Sequence, residues 1–342
     1  MASQPPPESY VFGRFKGLKN TVDSTRLGPD ELEVAINVDL DDAGQARRRR
    51  GRELKIAGRC HSAFTGPLQT YVVLDGELVY VNPDYTTVAL GVTIGQVPVA
   101  YVAVGGDVYF STSSTSGIIR ANQTVEPWGE LSGAGVWVSP VVNPTATLQP
   151  IAGQLMQAPP LADVLGQLNG RIYLAQDRLL WATELYLYNQ IVKAKNFIQF
   201  EDEITVIGDV NDGLYVGTTK AVWYLSGIFR EMKRDVAVSA GAVKGSLVSI
   251  DPKLVDPNTT SKGAVLFMTD NGLVCGLDGG QVLNLTQGSV EFPGATSAAA
   301  LIRRQDGQNQ YIVAQESAGS PVSAARIGDF VDAEIRRFQG GS

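Results

Sequence analysis

Tyr71-Val72-Val73-Leu74-Asp75-Gly76-Glu77-Leu78-Val79-Tyr80-Val81 reads as two β-strands joined by a tight turn. β-Branched, aromatic and leucine residues flank an Asp-Gly pair, and that dipeptide supplies the left-handed backbone that a two-residue hairpin turn requires. The unit recurs along the chain. Ala100–Val104 turns through Gly105-Gly106 into Asp107–Phe110, and Val164–Leu168 turns through Asn169-Gly170 into Arg171–Leu174. Ile204–Ile207 precedes Asp212-Gly213 and Leu214–Val216, and Val265–Met268 precedes Asn271-Gly272 and Leu273–Cys275. A looser copy joins Ala300–Ile302 through Asp306-Gly307 to Tyr311–Val313. Further strands follow two of the copies: Ala221–Leu225 after the fourth, and Gln281–Leu285 behind Asp278-Gly279-Gly280 in the fifth.

The turn glycines Gly76, Gly106, Gly170, Gly213, Gly272 and Gly307 are 30, 64, 43, 59 and 35 residues apart. Their mean step of about 46 lies in the range of propeller repeats. Two long steps read as loop insertions, one around Pro140–Pro160 and one around Asp251-Pro252 and Asp256-Pro257-Asn258. The expectation is an all-β chain, a β-propeller of about six irregular blades, because closing the ring hides most strand edges. A sandwich or barrel would also give short strands, but 342 residues would then need two domains and a linker, and none is evident. Short helices are expected only over Pro29–Ile36, Gly227–Lys233 and Phe330–Phe338. The organisation that follows is a flexible lead over 1–11, a helix and hairpin over 12–52, the propeller over 53–326 and an amphipathic helix and tail over 327–342.

With 37 Gly and 17 Pro beside 44% hydrophobic residues, the chain is dense in turns yet apolar enough for a core. A net charge of −7 argues against a protein that coats nucleic acid by neutralising phosphates. Cys60 and Cys275 form no disulfide framework and are expected to sit reduced as small core residues. Met1–Pro7 lacks the basic and apolar regions of a secretory signal, and apolar runs such as Val97–Val104 fall far short of the ~20 residues that span a bilayer.

Motifs for chemistry are sparse. There is no nucleophile elbow, phosphate-binding P-loop or dinucleotide fingerprint, and His61 is the only histidine, so neither a multi-histidine metal site nor a conventional triad is expected, and no cofactor. Asp39, Asp41 and Asp42 before Gly44 resemble the start of a calcium loop, but Arg50 stands where the distal glutamate would be, which leaves a solvated hairpin turn. Glu201, Asp202 and Glu203 supply paired carboxylates of the kind glycoside hydrolysis uses, but adjacency in sequence does not set the spacing in space that the two roles need. Tyr80, Tyr109, Tyr173 and Tyr215 follow their turn glycines at drifting offsets, which fits packing between blades better than a common ligand platform.

From Phe12 to Gly51 the chain reads Phe12-Gly13-Arg14-Phe15-Lys16-Gly17-Leu18-Lys19-Asn20, Leu27–Leu32, Ala35-Ile36-Asn37-Val38-Asp39-Leu40 and Arg47–Gly51. Asp30 can cap a short helix over Glu31–Ile36, and Asp42-Ala43-Gly44 can turn Asn37–Asp41 onto Gln45–Arg49. This segment resembles the opening of β-propeller virion proteins of tailed bacteriophages, most of all the tail nozzle or hub proteins of short-tailed phages. A second stretch is similar to the same group: Gly170–Tyr173, Trp181–Leu185, Asn196–Ile198 and Ile204 through Gly227. The resemblance implies a non-enzymatic virion subunit, made in the bacterial cytoplasm. It would assemble into a ring, a hexamer by analogy, beside adaptor and fibre proteins, with double-stranded DNA passing through without sequence recognition. Arg47, Arg48, Arg49, Arg50 and Arg52, with Glu201, Asp202 and Glu203, are then candidates for the channel wall or the subunit interface. A receptor-binding propeller at the tail tip and a tail-associated glycan hydrolase are the rival readings.

Overall fold

The computed structural model describes residues 14–33, 38–40, 44–48, 53–129, 156–286, 288–290, 294–305, 308–317 and 333–335. Five antiparallel four-stranded meanders and one three-stranded sheet follow one another along the chain as the blades of a β-propeller. Blade 1 comprises Cys60–Thr65, Thr70–Leu74, Glu77–Val81 and Thr87–Thr93, and blade 2 comprises Ala100–Val104, Asp107–Ser111, Ser116–Ile119 and Val125–Pro127. Blade 3 is built from Val164–Leu168, Arg171–Gln176, Leu179–Ala182 and Phe197–Gln199. Blade 4 is built from Ile204–Asp209, Gly213–Thr218, Val222–Ser226 and Lys233–Val238. Blade 5 has Val248–Ile250, Ala264–Thr269, Gly272–Leu277 and Val282–Asn284, and blade 6 has the long hairpin Ala295–Gln305 and Gln308–Ser317 with Ala333–Ile335 at its edge.

The turn chemistry does what the dipeptides require. Asp75-Gly76, Gly105-Gly106 and Asn169-Gly170 each join paired strands with both central residues left-handed, at φ 51 and 89, 60 and 97, and 48 and 73. Two other turns depart from the dipeptide pattern. In blade 5 the turn falls on Asp270 and Asn271, since Thr269 pairs with Gly272, and the glycine opens the next strand at φ 119. In blade 4, Gly213 already lies in its strand opposite Ser226, and a Cβ there would run into the Tyr224 ring. Gly307 lies outside the described residues, but the register Gln305 to Gln308 confirms the hairpin around it.

The uneven glycine spacing has a cause other than two insertions. First strands of successive blades begin at 60, 100, 164, 204, 248 and 295, so every step but one lies between 40 and 47 residues. The exception spans the Pro-rich stretch between blades 2 and 3, where an insertion was expected. The long step after Gly213 arises mainly because the turn moves from the first hairpin of blade 4 to the second hairpin of blade 5.

The core is a chain of interblade seams. Tyr71, Val73, Phe110 and Ile119 join blades 1 and 2, and Tyr109, Ile118, Leu174 and Trp181 join blades 2 and 3. Tyr173, Leu180, Leu214 and Phe229 join blades 3 and 4. Tyr215, Val265 and Phe267 join blades 4 and 5, and Leu266, Cys275, Tyr311 and Val313 join blades 5 and 6. Tyr109, Tyr173 and Tyr215 are thus packing residues, and Tyr80 borders the first seam. The phenols also bond across the seams: Tyr215 donates to Leu277 O (2.6 Å) and Gln281 O (2.8 Å), and Tyr311 donates to Ser246 O (2.6 Å). Among the described residues, no such cluster joins blade 6 to blade 1.

Helical expectations need correction. The described residues hold four short 3-10 turns and no α-helix. Glu31–Leu32 is a strand, parallel to Gly17–Leu18, where a helix over Pro29–Ile36 was expected. Instead of capping a helix, Asp30 pairs with Lys16 (2.6 Å), while Glu31 binds Lys19 (2.8 Å) and accepts from Gly28 N (3.0 Å). These contacts hold the two segments side by side. Gly227–Lys233 keeps only the turn Phe229–Glu231, and Ala333–Ile335 within the predicted C-terminal helix is a strand on blade 6. The hairpin of Val38–Leu40 with Ala46–Arg48 forms as predicted.

Candidate functional site

The predicted site residues do not converge. Arg47 and Arg48 are exposed on the N-terminal hairpin, with Arg47 opposite Asp39, and Arg49, Arg50 and Arg52 lie outside the described residues. Glu201 and Glu203 are exposed ahead of the first strand of blade 4, and Asp202 pairs with Lys220 at 3.0 Å. No carboxylate dyad is evident there. His61 sits on blade 1 with Nε2 3.0 Å from Gly95 O and Nδ1 2.9 Å from Ser62 Oγ. Cys60 is exposed rather than in the core, because the edge strand of blade 1 turns that face outward, whereas Cys275 is fully buried and its thiol is pushed up to about 12 by burial. Among the described residues no three metal-ligating side chains gather.

A different cluster assembles where blades 3 and 4 meet. The second hairpin of blade 3 leads into Thr183 and Glu184, whose backbone is fixed by Thr183 Oγ1 accepting from Ile172 N (2.9 Å) and by Arg171 Nη1 donating to Thr183 O. Glu184 is largely buried and takes a hydrogen bond from Asn196 Nδ2 (2.8 Å). Arg171 and Arg230 approach the same carboxylate at 3.7 and 3.6 Å. Arg230 also reaches Asn196 Oδ1 (3.3 Å), and the Arg171 guanidinium lies 5.5 Å from the centre of the Phe229 ring. A carboxylate so surrounded is a structural counter-ion, because its charge is already shared between two guanidiniums and an amide. Below it Tyr173 packs edge-on against Phe229 at 5.9 Å, and burial pushes its phenol up to about 12.

Above this node a cleft of about 590 Å³ opens between the outer strands of the two blades. Lys195, Phe197, Ile198 and Gln199 line it from blade 3, and Phe229, Arg230, Met232 and Arg234 from blade 4. Arg234 spans the cleft, donating to Gln199 O (3.2 Å) with its guanidinium 6.0 Å from the Phe200 ring. No carboxylate lines it, so in a chain of net charge −7 the cleft is locally cationic. Sequence reading drew attention to Asn196-Phe197-Ile198 through the resemblance but missed the three cations. Lys195 sits in the turn before Phe197–Gln199, Arg230 in the 3-10 turn Phe229–Glu231 and Arg234 on the strand Lys233–Val238, so no shared sequence period marks the three.

No family model matches the chain, and no curated protein matches it. Solved structures match parts of it at low identity and with TM-scores below 0.5. They include the extracellular domain of a hybrid two component system from B. thetaiotaomicron (12% identity, TM-score 0.45, 78% of this chain and 33% of that one). The WD40 propeller of Doa1 matches at 12% identity and TM-score 0.42, over 76% of this chain and 79% of that one. The Neurospora crassa Pan2 WD40 domain gives 10% and 0.39 over 75% of each. The chain spans about a third of the length of the B. thetaiotaomicron domain. The propeller assignment stands on the six successive sheets and their seams.

Proposed function

We propose that this chain is a non-enzymatic structural subunit of a phage tail, of nozzle or hub type. Copies assemble into a ring, six by analogy, that continues the DNA channel and takes part in retaining and ejecting the genome. The observation that carries the reading is where the described residues of both stretches that resemble such proteins sit. The N-terminal stretch docks on the far end of the propeller, with Asn20 N bonded to Ser289 O (3.0 Å) and Thr21 Oγ1 to Gly288 O (2.8 Å). Residues of the second stretch, Arg171, Thr183, Glu184 and Asn196, build the node between blades 3 and 4. The acidic balance supports a conduit, since a wall that repels phosphate lets duplex DNA slide. Adaptor and fibre proteins are the further partners, and the virion tail is the location.

Electron microscopy of the purified protein tests the reading. A closed ring with an open axial channel wide enough for duplex DNA is expected. Monomers at every concentration, or trimers sited at the tail periphery in virions, would overturn it.

A further inference from the structure

We infer that the cleft between blades 3 and 4 is a docking groove for an extended acidic segment of a partner polypeptide, one that alternates carboxylates with aromatic or branched aliphatic side chains. Charge and apolar surface both point to this occupant. Lys195, Arg230 and Arg234 present three cations with no carboxylate on the lining. Glu184 neutralises part of Arg230 from beneath, while Lys195 has no ion-pair partner among the described residues, so the groove keeps a positive balance. Apart from Gln199, the remaining lining is apolar: Phe197, Ile198, Phe229 and Met232.

Exposed apolar side chains run from the cleft lining onto the adjoining surface. Phe197 is 40% exposed, Val236 52% and Ile228 76%. Val236 follows Arg234 by two residues on the same face of its strand, and Ile228 immediately precedes the 3-10 turn that carries Phe229 and Arg230. An apolar rim of this kind is covered by a protein partner, not by water. Nucleic acid fits poorly. Three cations, one of them shared with Glu184, fall short of the six to ten or so phosphate contacts of a typical binder, and a phosphate backbone would leave Ile228 and Val236 wet. An extended chain suits a groove walled by two outer strands, Phe197–Gln199 and Lys233–Val238, because its side chains alternate between the cationic wall and the apolar floor. The inference does not depend on the tail reading, since it concerns the isolated propeller.

The test is fluorescence anisotropy with the full chain and three probes: a short labelled peptide alternating Glu with Phe and Leu, its counterpart with Lys for Glu, and a short duplex DNA. The Glu peptide is expected to bind and to weaken with salt, and the other two are expected to bind at least tenfold more weakly. Lys195→Glu with Arg234→Glu should lower affinity for the Glu peptide at least roughly tenfold, and Phe197→Ser should lower it while preserving the salt dependence. Unchanged circular dichroism and melting certify each variant, and Lys195→Ala replaces the double variant if that one does not fold. Equal binding of the Lys peptide, tighter binding of DNA, undiminished binding by the charge variants, or no binding of the Glu peptide would each overturn the inference. Ring assembly is scored separately, so failure here leaves the tail reading standing, and the reverse.

Discussion

At the scale of single residues, buried tyrosines define the seams. The Tyr215 hydroxyl reaches two carbonyls of the neighbouring blade, so Tyr215→Phe removes that donor from Leu277 O, while Gln281 O keeps its bond from Leu277 N (2.8 Å) at constant ring packing. The expected loss is about 1–3 kcal/mol, read from the urea midpoint at unchanged m-value. The two thiols should separate cleanly: a chromogenic disulfide reagent is expected to modify Cys60 in the native protein and Cys275 only in denaturant. Two equivalents in native buffer would contradict the burial of Cys275. Burial also ties stability to alkali. Cys275, Tyr109 and Tyr173 have folded values raised to about 12, so their neutral forms are favoured in the native state. Their contribution is complete below the unfolded values, about 8.5 for the thiol and 10 for the phenols, and drains as pH rises from there through 12. Denaturation midpoints are therefore expected to hold near neutrality and fall above about pH 9.

Among the elements, turns and strands obey different rules. Gly76 is needed for its backbone: at φ 89 with its nearest neighbour atom 3.4 Å from an added Cβ, there is room for a methyl group but no comfortable conformation. Gly76→Ala should cost about 1–2 kcal/mol. Gly213 is needed for its emptiness, because the Tyr224 ring occupies the space a Cβ would take. Gly213→Ala should cost at least as much, and pairing it with Tyr224→Ala should recover part of the loss in a double-mutant cycle. These two glycines look alike in sequence, which marks the limit of what sequence reveals. Hairpins were legible because Asp-Gly, Gly-Gly and Asn-Gly announce left-handed turns locally. The strand at Glu31–Leu32 was not, because its partner Gly17–Leu18 and its lysine contacts are remote from the capping pattern that favoured a helix. The cationic groove was hidden for the same reason: Lys195 and Arg234 meet only once two blades pack.

For the whole molecule, the seams run in one line from blade 1 to blade 6, each formed by sequence neighbours. Among the described residues, central blades are therefore gripped on both faces and the terminal ones on one. Hydrogen exchange should be slowest in Arg171–Gln176, Gly213–Thr218 and Gly272–Leu277, all but wholly buried strands, and fastest in Cys60–Thr65 and Thr87–Thr93 of blade 1. Uniform protection across the blades would contradict this picture. The blade repeat itself was readable from the turns, whereas the offset between blades 4 and 5 was not, since a turn dipeptide does not say which pair of strands it joins.

The N-terminal segment docked on Gly288 and Ser289 has a mechanical meaning. Leu18 packs into the seam of blades 5 and 6, and the chain then runs on to blade 1 at Cys60. A covalent strap thus reaches from the first blade to the last pair. Cutting the chain between Asn20 and Cys60 would sever that link while leaving the interblade seams among the described residues untouched.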